Sequence, residues 1–402
     1  MARWTSVLPL FAIGLVLRPQ IVGIGPLQAR MQSSLGISHA VAGLVVTIPV
    51  LCMGLFAPLA SPLLRRYGSR AATSGALLAV GIAGIVRAAV PGVALVLVAT
   101  VPIGIGIALA GTLLPVLVKE EYARTPALGT GVYTTGINVG ATLAALTAAA
   151  LASAIGWRGV LAFYSLASIA LVLPWVAQRH VPVVPLERAK LPVRTPIAWV
   201  IVAAFALQSV LFYGLNAWLA DAYVERGWTQ GKAGALVAVT NAVGLLAGVL
   251  TALTAGRFES RRIFLVPASM LAVVALTCFA LAAPGAWLWA AVVGAATGML
   301  FTAAMMLPLD AGATRGEVAA LTALMLGVGY VFAALAPLLL GEVRDATGSF
   351  RAPLALLAVD AGVLVAVSAA LRPSRLRALA GFGGGTGAQR AAVRATSTAR
   401  SP

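Results

Sequence analysis

From Ile263 to Leu309 the chain carries no charged side chain, and apolar segments recur along most of the rest of its length. At 1.5 Å rise per residue, about 20 such residues in a helix cross the roughly 30 Å of a bilayer's hydrocarbon. Hydrophobic residues make up 61% of the sequence and charged ones only 10%, with a mean hydropathy of +1.00, which describes an integral membrane protein rather than a soluble domain. The segments are rich in Gly and Ala and lack the alternating pattern of outer-membrane strands. Helices, which pair their own backbone N–H and C=O groups, are therefore the spanning element.

Charges and helix breakers divide the sequence into twelve candidate spans, near 7–27, 38–64, 71–88, 93–118, 129–155, 159–177, 197–220, 233–255, 263–282, 286–308, 318–341 and 352–371. Ala283, Pro284 and Gly285 supply the turn inside the long uncharged stretch. The first apolar run contains Arg18 and Pro19 and lacks a small-residue cleavage site, so it reads as a retained helix rather than a signal peptide.

Orientation follows from the basic residues. With a cytoplasmic N-terminus, 20 of the 28 Lys and Arg lie on inside loops and the C-terminal tail, among them Arg65, Arg66, Arg70, Arg257, Arg261 and Arg262. Seven lie outside, namely Arg30, Arg87, Arg158, Arg226, Lys232, Arg344 and Arg351, and Arg18 is the remaining one. The even span count then puts both termini in the cytoplasm of a bacterial inner membrane. Arg87, near the outer end of the third span, is expected to snorkel to the interface as an anchor.

A net charge of +17 raises the question of nucleic acid, but the bases are spread over loops and a tail with no folded basic domain. Anionic lipid headgroups are the expected partner and nucleic acid is not. Cys52 and Cys278 both fall inside spans, and His39 and His180 are far apart without clustered ligands, so no disulfide, metal or cofactor is indicated.

The charged connector from Gln178 to Thr195 splits the spans six and six, and motifs recur on its two sides. GIGIALAGTLLPVL in the fourth span matches GAATGMLFTAAMMLP in the tenth, and TTGINVGATLAAL in the fifth matches MLGVGYVFAALAP in the eleventh. The expected fold is all-α, with twelve transmembrane helices in two pseudo-symmetric six-helix bundles, residues 1–177 and 196–371, around a central cavity. Residues 178–195 form a cytoplasmic linker, and 372–402 read as a disordered basic tail.

Arg18 stands at the centre of its span with Pro19 directly after it. A guanidinium there costs from about 2.5 to more than 10 kcal/mol on competing scales, so it should face protein, water or an anion. A planar cation with five donors suits a small planar anion such as a carboxylate. In the seventh span Gln208, Ser209, Tyr213, Asn216 and Trp218 are unusually polar and aromatic for a lipid-facing helix, and Asn138, Asn241 and Tyr330 lie near the same depth. Asp360 is the one carboxylate well inside a span and the coupling candidate.

LRPQIVGIGPL (Leu17–Leu27), TIPVLCMGLFAPLA (Thr47–Ala60), LQSVLFYGLNAWL (Leu207–Leu219) and ALTALMLGVGYVFAALAPLLLGEVRDATGSF (Ala320–Phe350) carry a family resemblance. The chain resembles the major facilitator superfamily and, within it, the cyanate and 2-nitroimidazole permeases. It departs from the family pattern where no aspartate precedes Arg66, where Leu326 follows Met325, and where Ala220 follows Trp218 and Leu219. The resemblance implies a cavity lined by the first, fourth, seventh and tenth helices, with the twelfth in the outer scaffold.

The function expected is a monomeric secondary transporter, not an enzyme. It moves a small anionic or polarised organic solute by alternating access, with Arg18, Gln208, Tyr213, Asn216, Trp218, Asn138, Asn241 and Tyr330 as its binding residues. A proton-coupled exporter of hydrophobic compounds is the alternative, and a membrane enzyme or sensor a more distant one.

Overall fold

The computed structural model describes residues 4–121, 126–176, 191–312, 315–372, 374 and 376, which form helices and no strand. The linker at 178–190 and the tail beyond 376 lie outside the described residues. In the N-terminal half, α1 (Trp4–Leu17), α2 (Pro19–Val22) and α3 (Gln28–Leu35) make the first crossing. They are followed by α4 (His39–Leu55), α5 (Ala60–Ala89), α6 (Val93–Glu121), α7 (Pro126–Ala170) and α8 (Val172–Val176). The C-terminal half contains α9 (Pro196–Glu225), α10 (Gln230–Ala255), α11 (Arg262–Ala280), α12 (Ala286–Ala311), α13 (Arg315–Thr347) and α14 (Arg351–Ala370).

Among the described residues ten helices are long and apolar enough to cross a membrane, and His39–Leu55 is a shorter apolar helix. Two of the expected boundaries fall inside continuous helices. α5 bends at Gly68 (φ 77°, ψ 167°) and α7 at Gly156 (φ 70°, ψ 166°), a backbone region open essentially only to glycine. In each case one residue replaces a loop, so α7 holds both the fifth and the sixth expected spans. Gly36, left-handed at φ 65°, ends α3, and the Ser38 hydroxyl caps α4 by accepting from the Val41 N–H at 3.3 Å.

Inside hydrocarbon there is no water to expel, so close van der Waals packing of small residues holds helices together. α1 lies against α7, where a Cβ on Gly14, Gly136 or Gly140 would collide with the carbonyl of Tyr133, Phe11 or Leu15 respectively. α10 and α12 meet in the same way through Gly244, Gly294 and Gly298. The halves touch along two seams, α4 against α13 and α7 against α10. At the first seam, Cβ atoms on Gly43 and Gly341 would lie 2.6 and 2.7 Å from the Pro337 and His39 carbonyls.

Arg87 departs from the expectation that it snorkels outward. It is fully buried and donates to the Gln20 Oε1, while Gln20 in turn donates to the Ser165 hydroxyl at 2.8 Å. These bonds hold the side chain inward and tie the first, third and sixth crossings together, at a place where Gly84 leaves room for Ser165 and Gln20. Arg158 takes the capping position instead, donating to the Ala88 and Val90 carbonyls at 3.0 and 2.6 Å.

This packing makes two stability predictions. Gly140→Val forces α1 away from α7 and should destabilise the protein by about 1–3 kcal/mol, whereas Gly362→Ala, with no atom within 4 Å, should be neutral or gain up to about 1 kcal/mol. Thermal unfolding in detergent distinguishes the two, and an unchanged midpoint for Gly140→Val would refute the packing account. Gln20→Ala leaves Arg87 buried without its side-chain partner and should cost about 1.5–3 kcal/mol, part of which a second change, Arg87→Met, should restore.

Candidate functional site

The site begins at the break in the first crossing. Pro19 has no N–H and its ring disfavours a continuous helix, so α1 stops at Leu17 and α2 restarts at Pro19. The Arg18 carbonyl accepts from the Ile21 and Val22 N–H groups at 3.0 and 2.9 Å. Arg18 itself keeps a right-handed helical backbone (φ -94°, ψ -30°) at this junction. A few residues on, Gly25 lets this segment approach the Asn216 carbonyl of α9 so closely that a Cβ would not fit.

Arg18 projects into a cavity between the halves. Its Nη1 donates to the Tyr213 hydroxyl at 2.6 Å, a bond from the N-terminal half to the C-terminal half. The guanidinium carbon lies 5.3 Å from the Phe212 ring centre and 5.5 Å from that of Tyr213, within cation–π range. The Tyr330 hydroxyl also faces the guanidinium, and its ring meets Tyr213 edge-on at 6.2 Å and Phe205 at 5.2 Å. Among the described residues no carboxylate lines this cavity and none pairs with Arg18.

Amides and hydroxyls complete the wall. The Asn241 Nδ2 donates to the Asn216 Oδ1 at 2.8 Å, and Asn216 donates to the Phe212 carbonyl, so one ladder links α9 to α10. The Gln208 Nε2 donates to the Ser209 hydroxyl at 2.7 Å. Asn138 donates to the Thr134 carbonyl at 2.9 Å. Thr240 and Thr297 donate back to carbonyls of their own helices, which leaves hydroxyl oxygens as acceptors beside the cavity.

Seven of the sequence candidates meet around this one space, namely Arg18, Asn138, Gln208, Tyr213, Asn216, Asn241 and Tyr330. Trp218 and Asp360 do not. Trp218 lies further along α9, donates to the Pro337 carbonyl at 2.8 Å and packs against His39 and Phe350. Its ring fills the seam with α13, because the indole N–H needs a buried acceptor and finds one there. Asp360 sits on α14, which packs on α11 and α9 and supplies no residue to the cavity.

The lining also differs from the four-helix expectation. The first crossing, through Arg18, and α9 and α12 contribute, but among the described residues α6 does not, since it packs on α5 and α4; α7, α10 and α13 contribute instead. Phe212, Thr240, Thr297 and Thr302 also line the cavity without having stood out in the sequence. Only their positions next to Tyr213, next to Asn241 and within a glycine-rich stretch of the tenth span would have pointed to them.

Comparison with known proteins agrees with this architecture. The model of the Major Facilitator Superfamily matches residues 10–334. The chain is 30% identical over 362 residues to the 2-nitroimidazole transporter of Escherichia coli (strain K12), covering 86% of this chain and 90% of that protein. It is 29% identical over 355 residues to the cyanate transport protein CynX of the same organism, covering 85% and 91%. Among solved structures, a bacterial homolog of the human lysosomal transporter Spinster, in an inward-facing and occupied conformation, superposes with a TM-score of 0.76. Its identity is 16%, over 93% of this chain and 98% of that one, so this likeness concerns the fold alone. A multi-pass helical protein with this cavity, this family match and these relatives belongs to the Major Facilitator Superfamily of membrane transporters.

Proposed function

We propose that the protein is a secondary transporter of the bacterial inner membrane that carries a small anionic or strongly polarised organic solute by alternating access. The observation that carries this reading is Arg18, a buried cation at the junction of the halves that faces tyrosine hydroxyls and no carboxylate among the described residues. Neutral hydroxyls compensate a guanidinium only in part, and an anion or a nitro- or cyanate-like group completes it with charge-assisted hydrogen bonds. The names of the two relatives, transporters of 2-nitroimidazole and cyanate, fit solutes of this kind.

The flat walls of Phe212, Tyr213 and Tyr330 suit a planar solute, and Gln208, Asn138, Asn216 and Asn241 add groups that hydrogen-bond its edges. Both halves of the cavity come from one chain, which supports action as a monomer. The excess of basic residues on the face that carries the termini supports a cytoplasmic location for both ends, beside anionic headgroups. A cavity without a carboxylate among its described residues does not suit a cationic drug, which weighs against the exporter alternative.

Purified protein in liposomes should take up labelled cyanate, 2-nitroimidazole or a small carboxylate, and Arg18→Ala should abolish that uptake. Arg18→Lys should restore at most a small part, because an ammonium keeps the charge but not the planar fork. Tyr213→Phe removes the hydroxyl that orients the guanidinium and should weaken apparent affinity by roughly tenfold, which corresponds to a net hydrogen bond of about 1.5 kcal/mol. Undiminished uptake by Arg18→Ala would remove the assignment.

A further inference from the structure

At the face opposite the termini, the polar contacts between the halves converge on one histidine. His39 opens α4 on the N-terminal side of the seam. Its Nδ1 lies 2.7 Å from the Asp345 Oδ1 at the end of α13, and its Nε2 lies 3.5 Å from the Asp221 Oδ2 near the end of α9. The same two carboxylates take further contacts from the N-terminal half. The Ala40 N–H donates to the Asp345 Oδ2 at 3.0 Å, and the Gln32 Nε2 donates to the Asp221 Oδ2 at 3.4 Å. On the same face Arg30 of α3 donates to Gln230 at the start of α10, a further contact between the halves.

A neutral imidazole has one N–H and one lone pair, so with a carboxylate at each nitrogen it satisfies one and repels the other. Only the imidazolium donates to both. Among the remaining neighbours the Arg344 guanidinium opposes this protonation, more weakly than the two carboxylates favour it. Arg344 on α13 is paired with Glu225 on α9 at 2.9 Å, and the second Glu225 oxygen accepts from the Phe350 N–H at 3.4 Å. Glu342 and Arg351 are exposed. Trp218 and Phe350 flank the imidazole at 5.7 Å each and screen it from water on two sides. The histidine still keeps partial exposure, at 18%, through which it exchanges protons with that face.

We propose that His39, gripped by Asp221 and Asp345, is a proton-binding latch: its protonation holds the two halves together on the face opposite the termini, and loss of the proton releases them. The sign follows from linkage. The closed arrangement binds the proton more tightly than an open one, in which the ring faces water and titrates near its ordinary range of about 6.5, so acidification favours closure and alkalinisation favours opening. No carboxylate of the solute cavity is needed, because the proton acts at the gate and the solute at Arg18.

The test reads gate distance directly. Spin labels at Ser34→Cys and Ala346→Cys, both exposed positions on opposite sides of the seam, are introduced into the Cys52→Ala, Cys278→Ala chain reconstituted in liposomes. Between pH 8.5 and 5.5 the ratio of short to long distances should rise, by up to about tenfold for each unit of difference between the two states' proton affinities. His39→Gln should flatten this titration, His39→Lys should hold the short distance at every pH, and Asp345→Asn should move the midpoint to lower pH. A distribution that does not change with pH in the unsubstituted latch, or one that titrates equally in His39→Gln, overturns the proposal.

Because the latch rests on the alternating-access reading, uptake of labelled cyanate and 2-nitroimidazole is measured in the same liposomes. Uptake with pH-invariant distances removes the latch alone, whereas invariant distances with no uptake of either probe count against both.

Discussion

The bond from Arg18 to Tyr213 is the interaction on which the rest of the architecture turns. It joins the two halves, and it is made by the basic residue that directly precedes Pro19 in the first crossing. The Arg18 side chain reaches the space between bundles, where aromatic faces and hydroxyls share its charge without neutralising it. The glycine contacts within each half make the surrounding bundles rigid enough for one polar bond to matter. Helices separated by full side chains would not bring Gly25 against the Asn216 backbone.

Much of the fold is legible in the sequence because charge and hydropathy report depth in a membrane. The approximate positions of the helices follow from that principle alone. What it does not report is conformation at single residues. Gly68 and Gly156 turn the chain within continuous helices, and nothing in hydropathy separates a one-residue corner from a loop. Arg87 illustrates a second limit. Its depth near an interface suggests snorkelling, but direction around a helix depends on partners, and Gln20 and Ser165 lie far from it in sequence.

The candidate site is legible to a similar degree and for a related reason. Polar side chains in a hydrophobic span must face protein, and those near mid-depth on neighbouring helices meet around one space. Arg18, Gln208, Tyr213 and Asn241 follow that logic. Trp218 and Asp360 mark where it stops, since the Trp218 indole is satisfied by a backbone carbonyl in the seam and Asp360 sits on a scaffold helix away from the cavity, its Oδ2 buried without a hydrogen-bond partner. Threonines escape it because their hydroxyls bond to their own helix and so carry no signal of burial. His39 escapes it because its two carboxylate partners come from α9 and α13, in the other half of the chain, and no local spacing announces them.

One helix connects the cavity to the opposite face. α9 carries Gln208, Tyr213 and Asn216 in the cavity wall, then Trp218 in the seam and Asp221 against His39. From Gln208 to Asp221 is about 20 Å along the axis at 1.5 Å per residue. The family pattern resembled here places a proline after the Trp-Leu pair, which would free a carbonyl and kink this stretch, but Ala220 stands there and the helical ladder runs unbroken to Glu225. An unkinked helix has no hinge in which to absorb a displacement. A solute that changes how Tyr213 and Arg18 sit therefore acts on the same rigid body that positions Asp221, and protonation of His39 acts on it from the other end. Two sites that bias one rigid element are coupled through it, and the coupling is reciprocal.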